Sequence, residues 1–284
     1  MSLTTIYWNL HNHCKAECSY CPSQTWGGPE PRSIEEYMNV LTTIVTHFEG
    51  LDRKIHWIFN GGEPLEMHDF PQMLKYCKEH QGLIHLNTNG GRKWLDWWAI
   101  EPHIDQVNLS YHYWQNEYLI KYIIEVFQKK QKPICVIVPI RPDFFDEDMA
   151  RAFKLETEYG IVTSKSQLYK DANQVRGLYE YTDEQLRMMR GEVLVQENEL
   201  HKETTFAERN ETVVNTSPVY LGKLCNTGVE RLHITADGWV SGSFCNNTHL
   251  GNIWNGTLQL RSAPSICKML ACTNPDDQQI TKFS

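Results

Sequence analysis

The chain contains no apolar run of 18 residues, and it does not open on a basic stretch followed by an apolar one. Neither a membrane-spanning helix nor a secretory signal is therefore read from it. Positive charge is scarce: 27 Lys and Arg stand against 35 Asp and Glu, a formal net charge of −8. A broad nucleic-acid surface needs the opposite balance to neutralise phosphates, so none is expected. There is no internal repeat and no low-complexity tract. The nine cysteines are too few, in 284 residues, for the dense disulfide framework of a small secreted domain. They indicate metal ligation in a reducing, cytoplasmic compartment. The 41% apolar and 22% charged fractions are those of a soluble globular protein long enough for one large domain and a small one.

What the chain does have is Cys14-Lys15-Ala16-Glu17-Cys18-Ser19-Tyr20-Cys21, following an apolar run that starts at Ile6. Three thiolates spaced C-x3-C-x2-C on a loop can converge on one soft metal centre. Three cysteines leave one iron of a [4Fe–4S] cubane open to an outside ligand, whereas a structural zinc wants a fourth ligand, for which His11 and His13 are near enough in sequence. A second stretch, Asn60-Gly61-Gly62-Glu63-Pro64, ends the strand-like run Ile55 to Phe59.

Periodicity arranges the chain as alternating strands and helices. The strands are Thr5 to Leu10, Ile55 to Phe59, Leu83 to Thr88, Gln106 to His112, Pro133 to Ile140 and Ser164 to Tyr169. The helices between them cover Ser33 to Phe48, Phe70 to His80, Tyr118 to Lys130 and Asp146 to Tyr159, the last ended by Gly160. The fifth strand, nearly continuously apolar, reads as covered on both faces, with Cys135 buried inside it. Cys77 reads as a small core hydrophobe, and Trp94, Trp97 and Trp98 as a core or barrel-rim cluster at helical spacing. From Ala172 to about Pro218 the composition turns polar, with helical spacing around Thr182 to Val195. A second cysteine group, Cys225, Cys245, Cys267 and Cys272, encloses two alternating runs joined by Asp237-Gly238, a hairpin turn. Leu250-Gly251-Asn252-Ile253-Trp254 then leads into what reads as a short helix.

The cysteine spacing after a first strand, with G-G-E-P after a second, resembles the radical S-adenosylmethionine (radical SAM) superfamily. The resemblance implies an α/β fold, a partial (βα)6 TIM-like barrel, over residues 1–200, a linker over 201–218, and a small α+β domain with a β-hairpin over 219–284. That last segment, with C-x-x-G, a hairpin, a cysteine, Leu-Gly-Asn-Ile and a closing cysteine pair, resembles the SPASM/twitch extension, the shorter twitch form fitting its four cysteines. Implied cofactors are a [4Fe–4S] cluster with an open iron held by Cys14, Cys18 and Cys21, SAM chelating that iron, and an auxiliary [4Fe–4S] cluster, or zinc, on Cys225, Cys245, Cys267 and Cys272. The SAM-binding residues carried over are Tyr20 near the adenine, Gly61, Gly62, Glu63 and Pro64 at the methionyl amine, Thr88 and Asn89, Ser110 at the ribose, Arg141 at the carboxylate, and Leu168, with Gln167, at the adenosine. His112 reads as a structural histidine or a substrate proton donor. No general base stands out: Asp237, Asp276 and Asp277 are explained by turns and a polar tail.

The implied reaction is reductive cleavage of SAM to a 5′-deoxyadenosyl radical that takes a hydrogen atom from a small polar molecule or a peptide, for a net oxidation through the auxiliary cluster. An electron donor such as flavodoxin or ferredoxin is the implied partner. Peptide crosslinking, thioether formation or epimerisation is the second reading. The early first strand, with no leader-binding module ahead of it, favours a small molecule or a separately presented peptide. A non-catalytic iron–sulfur or zinc protein is the alternative from another class, and an intact Gly61 to Pro64 cradle argues against it.

Overall fold

The computed structural model describes residues 2–21, 27–91, 96–170, 177–191, 220–244, 248–269, 272 and 274–283. In chain order its strands are β1 (Ser2–Asn9), β2 (Arg53–Asn60), β3 (Leu83–Thr88), β4 (Gln106–Ser110), β5 (Ile134–Pro139), β6 (Val162–Ser166), β7 (Leu224–Cys225), β8 (Arg231–Ile234), β9 (Trp239–Ser241), β10 (His249–Asn252), β11 (Ser265–Ile266) and β12 (Lys282–Phe283). The helices are α1 (Ile34–Glu49), α2 (Phe70–Glu79), α3 (Trp97–Ile100), α4 (Glu117–Lys129), α5 (Phe145–Tyr159), α6 (Asp183–Arg190) and α7 (Pro275–Gln278). The succession from β1 to β6, each strand followed by helix, is the α/β partial-barrel pattern, and the C-terminal region is antiparallel. Among the described residues no helix is long and apolar enough to cross a membrane.

Two compact units divide the chain, one of residues 1–8, 35–57 and 196–284, the other of 9–34 and 58–195. In the second, β3, β4, β5 and β6 pair in parallel, with Asn87 opposite Asn108 and Ser110 opposite Ile137. Their burial alternates. Ile84, Leu86, Val107, Leu109, Val136 and Val138 are fully buried, while His85, Asn87, Asn108, Ser110 and Cys135 are half-buried. Period-2 side-chain direction thus gives the sheet one oily face and one polar, partly open face. This corrects the reading of the fifth strand: only one face is covered, and Cys135 is half-buried. Strand β6 also starts two residues earlier than expected, because Val162 pairs with Cys135 and Ser166 with Pro139.

Helix ends follow local chemistry. Thr182 caps α6 in a capping box with Gln185, and Gly191 closes it in the left-handed conformation, so the helix stops short of the expected run to Val195; residues 192–195 and the linker lie outside the described residues. Gly160 ends α5 in the same way. On α3, Trp97 is buried against Phe127. Its neighbour Trp98 is exposed beneath Lys129 and Lys130, and Trp94 lies outside the described residues.

In the first unit β8 lies parallel to β1, pairing Thr5 with Arg231 through Trp8 with Ile234. It continues into the expected hairpin with β9, turning at Asp237-Gly238, where Gly238 has φ +89°. Asn252 ends β10, and a turn replaces the short helix expected next. The Asn252 side chain accepts from Trp254 N, and Asn255 accepts from Thr257 N, Asx geometry that competes with a helix. A separate sheet, β11-β7-β12, sets Ser265 and Lys282 on either side of Cys225.

The exit of β5 is tied to α5 by a buried charge. Asp148, with no exposed surface, accepts from Arg141 N, Nε and Nη2 at 2.9, 2.8 and 2.9 Å and from Arg151 Nη1 at 2.9 Å. The Arg141 guanidinium lies over the rings of Tyr113 and Phe144, 4.2 and 4.3 Å from their centroids. Breaking a buried pair leaves its partner desolvated without compensation. Asp148→Ala is therefore expected to lower unfolding free energy by about 3 kcal/mol in urea titration; an unchanged midpoint would refute the buried-hub reading.

Candidate functional site

The cysteine segment leaves β1 and lies against the end of β2 through main-chain contacts. Leu10 N donates to Asn60 O at 2.9 Å, Gly62 N to His11 O at 2.7 Å and Glu63 N to His13 O at 3.0 Å. No side chain fits between these strands of chain. A Cβ on Gly61 would stand 2.5 Å from His11 O, and one on Gly62 would stand 2.0 Å from His13 O. Gly61 also has φ +133°, a conformation that L side chains avoid. The glycines thus seat the cysteine loop itself, a requirement additional to any approach of a ligand amine. Glu66 fixes the same loop, accepting from Lys15 N at 2.9 Å, with its other oxygen 3.2 Å from His13 Nε2. Cys21 N donates to Cys18 O at 2.9 Å, and Glu17 between the first two cysteines adopts φ +45°.

Glu63 is the buried centre of the site, 1% exposed. Its Oε1 accepts from Leu65 N at 3.0 Å and Thr88 Oγ1 at 2.5 Å, and its Oε2 accepts from Asn89 N at 2.7 Å. Pro64 opens the short turn that Glu63 caps, a first-turn position that suits a residue without N–H. Burial outweighs these three donors and pushes the Glu63 carboxyl up to about 7. Burial likewise pushes the Cys14 thiol up to about 12, with the Glu63 and Glu66 carboxylates adding to it. Asn89 Nδ2 stands 3.8 Å from Cys14 Sγ.

Around these groups lies a cavity of about 220 Å³. Cys14, Cys18, Cys21, Gly61, Gly62, Glu63, Thr88, Asn89, Ser110 and His112 contribute to its lining. Ten residues spread over some hundred positions of sequence thereby meet in one place. Tyr20 bonds His112 Nδ1 through its hydroxyl at 2.7 Å. Tyr20, Pro64, Arg141 and Leu168 are not part of this lining: Tyr20 reaches it through His112, Arg141 is held by Asp148, and Leu168 is buried with its N–H on the Tyr181 hydroxyl.

Ala16, Glu17, Asn60 and Asn87 also line the cavity and were missed from the sequence. Asn87 Nδ2 donates to Asn60 Oδ1. Both belong to the polar face of the strands, and the apolar–polar alternation of Ile84 to Thr88 was the signal for it.

The donor set fits a [4Fe–4S] cluster with SAM. Three thiols share one cavity wall beside a side-chain-free strand end and a carboxylate. Of the histidines considered for zinc, His11 accepts from His13 N at 3.1 Å through Nδ1, and the His13 ring lies between Gly28 O and Glu66.

In the first unit Cys225, Cys267 and Cys272 are all buried. Cys225 and Cys267 pack with Ile280, and the Cys225 thiol, raised first by burial, is raised further by the other two. Cys245 lies outside the described residues.

Two outcomes follow from this geometry. Gly62→Ala must displace the His13 carbonyl, so it is expected to destabilise the protein by about 2 kcal/mol or more and to prevent iron uptake; normal iron content would contradict the seating. In the apoprotein Glu63 binds its proton more tightly folded than unfolded, so its contribution to stability is fully present below the ordinary carboxyl range and is lost as pH rises towards 7. Glu63→Gln should flatten that part of the wild-type stability profile, by on the order of 3 kcal/mol between pH 4.5 and 7 in urea titrations. Parallel profiles would refute the burial argument.

The sequence matches the Radical SAM superfamily over residues 8–155, just over half of the chain. No curated protein matches it. Among solved structures, it resembles anSMEcpe with bound AdoMet and Cp18Cys peptide at 16% identity and TM-score 0.51, over 90% of this chain and 79% of that one. It resembles Streptococcus suis SuiB bound to precursor peptide SuiA at 15% identity and TM-score 0.54, over 90% of this chain and 63% of that one. At these identities the likeness is one of fold. With the cysteine loop, the glycine-seated strand end and the buried carboxylate in one cavity, and the family match across them, the chain belongs to the radical SAM superfamily.

Proposed function

We propose that this chain is a radical SAM enzyme that abstracts a hydrogen atom from a peptide, with a net oxidation assisted by a second cluster. The observation that carries the reading is the single cavity shared by Cys14, Cys18, Cys21, Gly61 to Glu63 and the ends of β3 and β4. Together the cluster and SAM supply one-electron cleavage of SAM and the hydrogen abstraction that follows. Cys14, Cys18 and Cys21 would hold the cluster. Glu63, fixed by Leu65 N, Thr88 and Asn89 N, would take the methionyl ammonium, a charge-assisted contact strengthened by desolvation. Ser110, Asn89 and Tyr20 would orient the nucleoside, and the buried strand residues beneath keep water out.

Peptide is preferred over a small polar molecule because both anSMEcpe and SuiB, similar in fold, have been solved with peptides bound. The auxiliary cluster is assigned to Cys225, Cys245, Cys267 and Cys272 in the segment 219–284. Burial of three of these thiols within mutual electrostatic reach supports it. A small reductant such as flavodoxin or ferredoxin would deliver the electron. Anaerobically reconstituted protein given SAM and dithionite should release 5′-deoxyadenosine, and a Cys14→Ser, Cys18→Ser, Cys21→Ser protein should release none. A deuterated peptide substrate should pass deuterium to the 5′ carbon. Equal nucleoside release by wild type and the triple variant would contradict the assignment.

A further inference from the structure

The histidine at the end of β4 lies in a ring of hydrogen bonds that begins and ends in the cysteine segment. The Tyr20 hydroxyl meets His112 Nδ1 at 2.7 Å, and His112 N donates to Gln115 Oε1 at 2.6 Å. Gln115 Nε2 donates to Asn89 O, and Asn89 Nδ2 reaches back to Cys14 Sγ at 3.8 Å. Asn89 is also anchored from below, its N–H on Glu63 Oε2. The ring plane of His112 is set by two neighbours. Tyr20 meets its edge with centroids 5.9 Å apart and planes 24° from parallel, and Trp114 stacks on its face at 5.4 Å and 5°.

Burial favours the neutral imidazole by lowering its pKa to about 4. A neutral ring has one acceptor and one donor. His112 Nδ1 is engaged by the Tyr20 hydroxyl, and the side chain lines the cavity.

We propose that His112 is a positioning residue: its imidazole clasps the cysteine segment to the end of β4 and so holds Tyr20 in the arrangement that receives SAM, while its main-chain N–H continues the ring through Gln115 to Asn89. The imidazole acts through Tyr20 and takes no part in the hydrogen abstraction. The inference rests on the cofactor cavity and is independent of whether the substrate is a peptide.

The test uses His112→Leu, Tyr20→Phe, the double variant and His112→Asn, whose Oδ1 takes the place of Nδ1. In reconstituted protein, SAM affinity is read from the change SAM causes in the electron paramagnetic resonance spectrum of the reduced cluster. His112→Leu and Tyr20→Phe should each weaken SAM about fivefold, the worth of one hydrogen bond. The double variant should be no weaker than either, and His112→Asn should stay within about twofold of wild type. An unchanged affinity in His112→Leu, a double variant weakened about 25-fold as the product of independent effects, or a His112→Asn as weak as His112→Leu would overturn the clasp. Loss of iron from His112→Leu but not from His112→Asn supports it, and loss from both overturns it. The same four proteins without cofactor give a second reading. Thermal unfolding should show the two single losses failing to add, and additive losses would overturn the clasp even if wild-type protein bound no SAM. That last result would contradict the cofactor assignment alone.

Discussion

The site depends on one main-chain contact: the cysteine segment laid on the end of β2 with no side chain between. Hydrogen bonds from Leu10, Gly62 and Glu63 join the two stretches, and the space a Cβ would need at positions 61 and 62 is filled by His11 and His13 carbonyls. From this contact the rest follows. The thiols are brought beside the strand ends, and the next residue after the glycines, Glu63, is delivered beneath β3, where Thr88 and Asn89 receive its carboxylate. Replacing either glycine therefore disturbs the cysteine segment before it touches any cofactor.

Electrostatics gives the cavity a consistent character. Burial raises Cys14 and Glu63 and lowers His112 and His11, so each of these groups is pushed towards its neutral form in the apoprotein. A desolvated cavity held neutral has an unmet demand for positive charge once its thiols and carboxylate ionise. Binding iron and a cationic ligand there should release protons, coupling occupancy to pH.

Much of this was legible in the sequence. The thiol spacing and the Gly-Gly-Glu-Pro stretch stand out because such residues have few other reasons to occur together at strand ends, and the helix end at Gly160 follows from backbone chemistry. Four things were hidden. Why Gly61 and Gly62 are required depends on what lies opposite them, 50 residues away in sequence. The fate of Arg141 was set by Asp148, which reads as an ordinary first-turn acid of a helix until its burial is seen. Polar cavity residues such as Asn60 and Asn87 hid in strands whose apolar half dominated the reading, and the turn after Asn252 hid in asparagine side chains that bond their own backbone.

The central claim is that Cys14, Cys18 and Cys21 hold a [4Fe–4S] cluster in this cavity, separate from a second one on the C-terminal cysteines. Iron and sulfide counted in anaerobically reconstituted wild type and in a Cys14→Ala, Cys18→Ala, Cys21→Ala protein test it most directly. About eight irons per chain falling to about four is the predicted result. An iron content that does not fall when these three thiols are removed would contradict it.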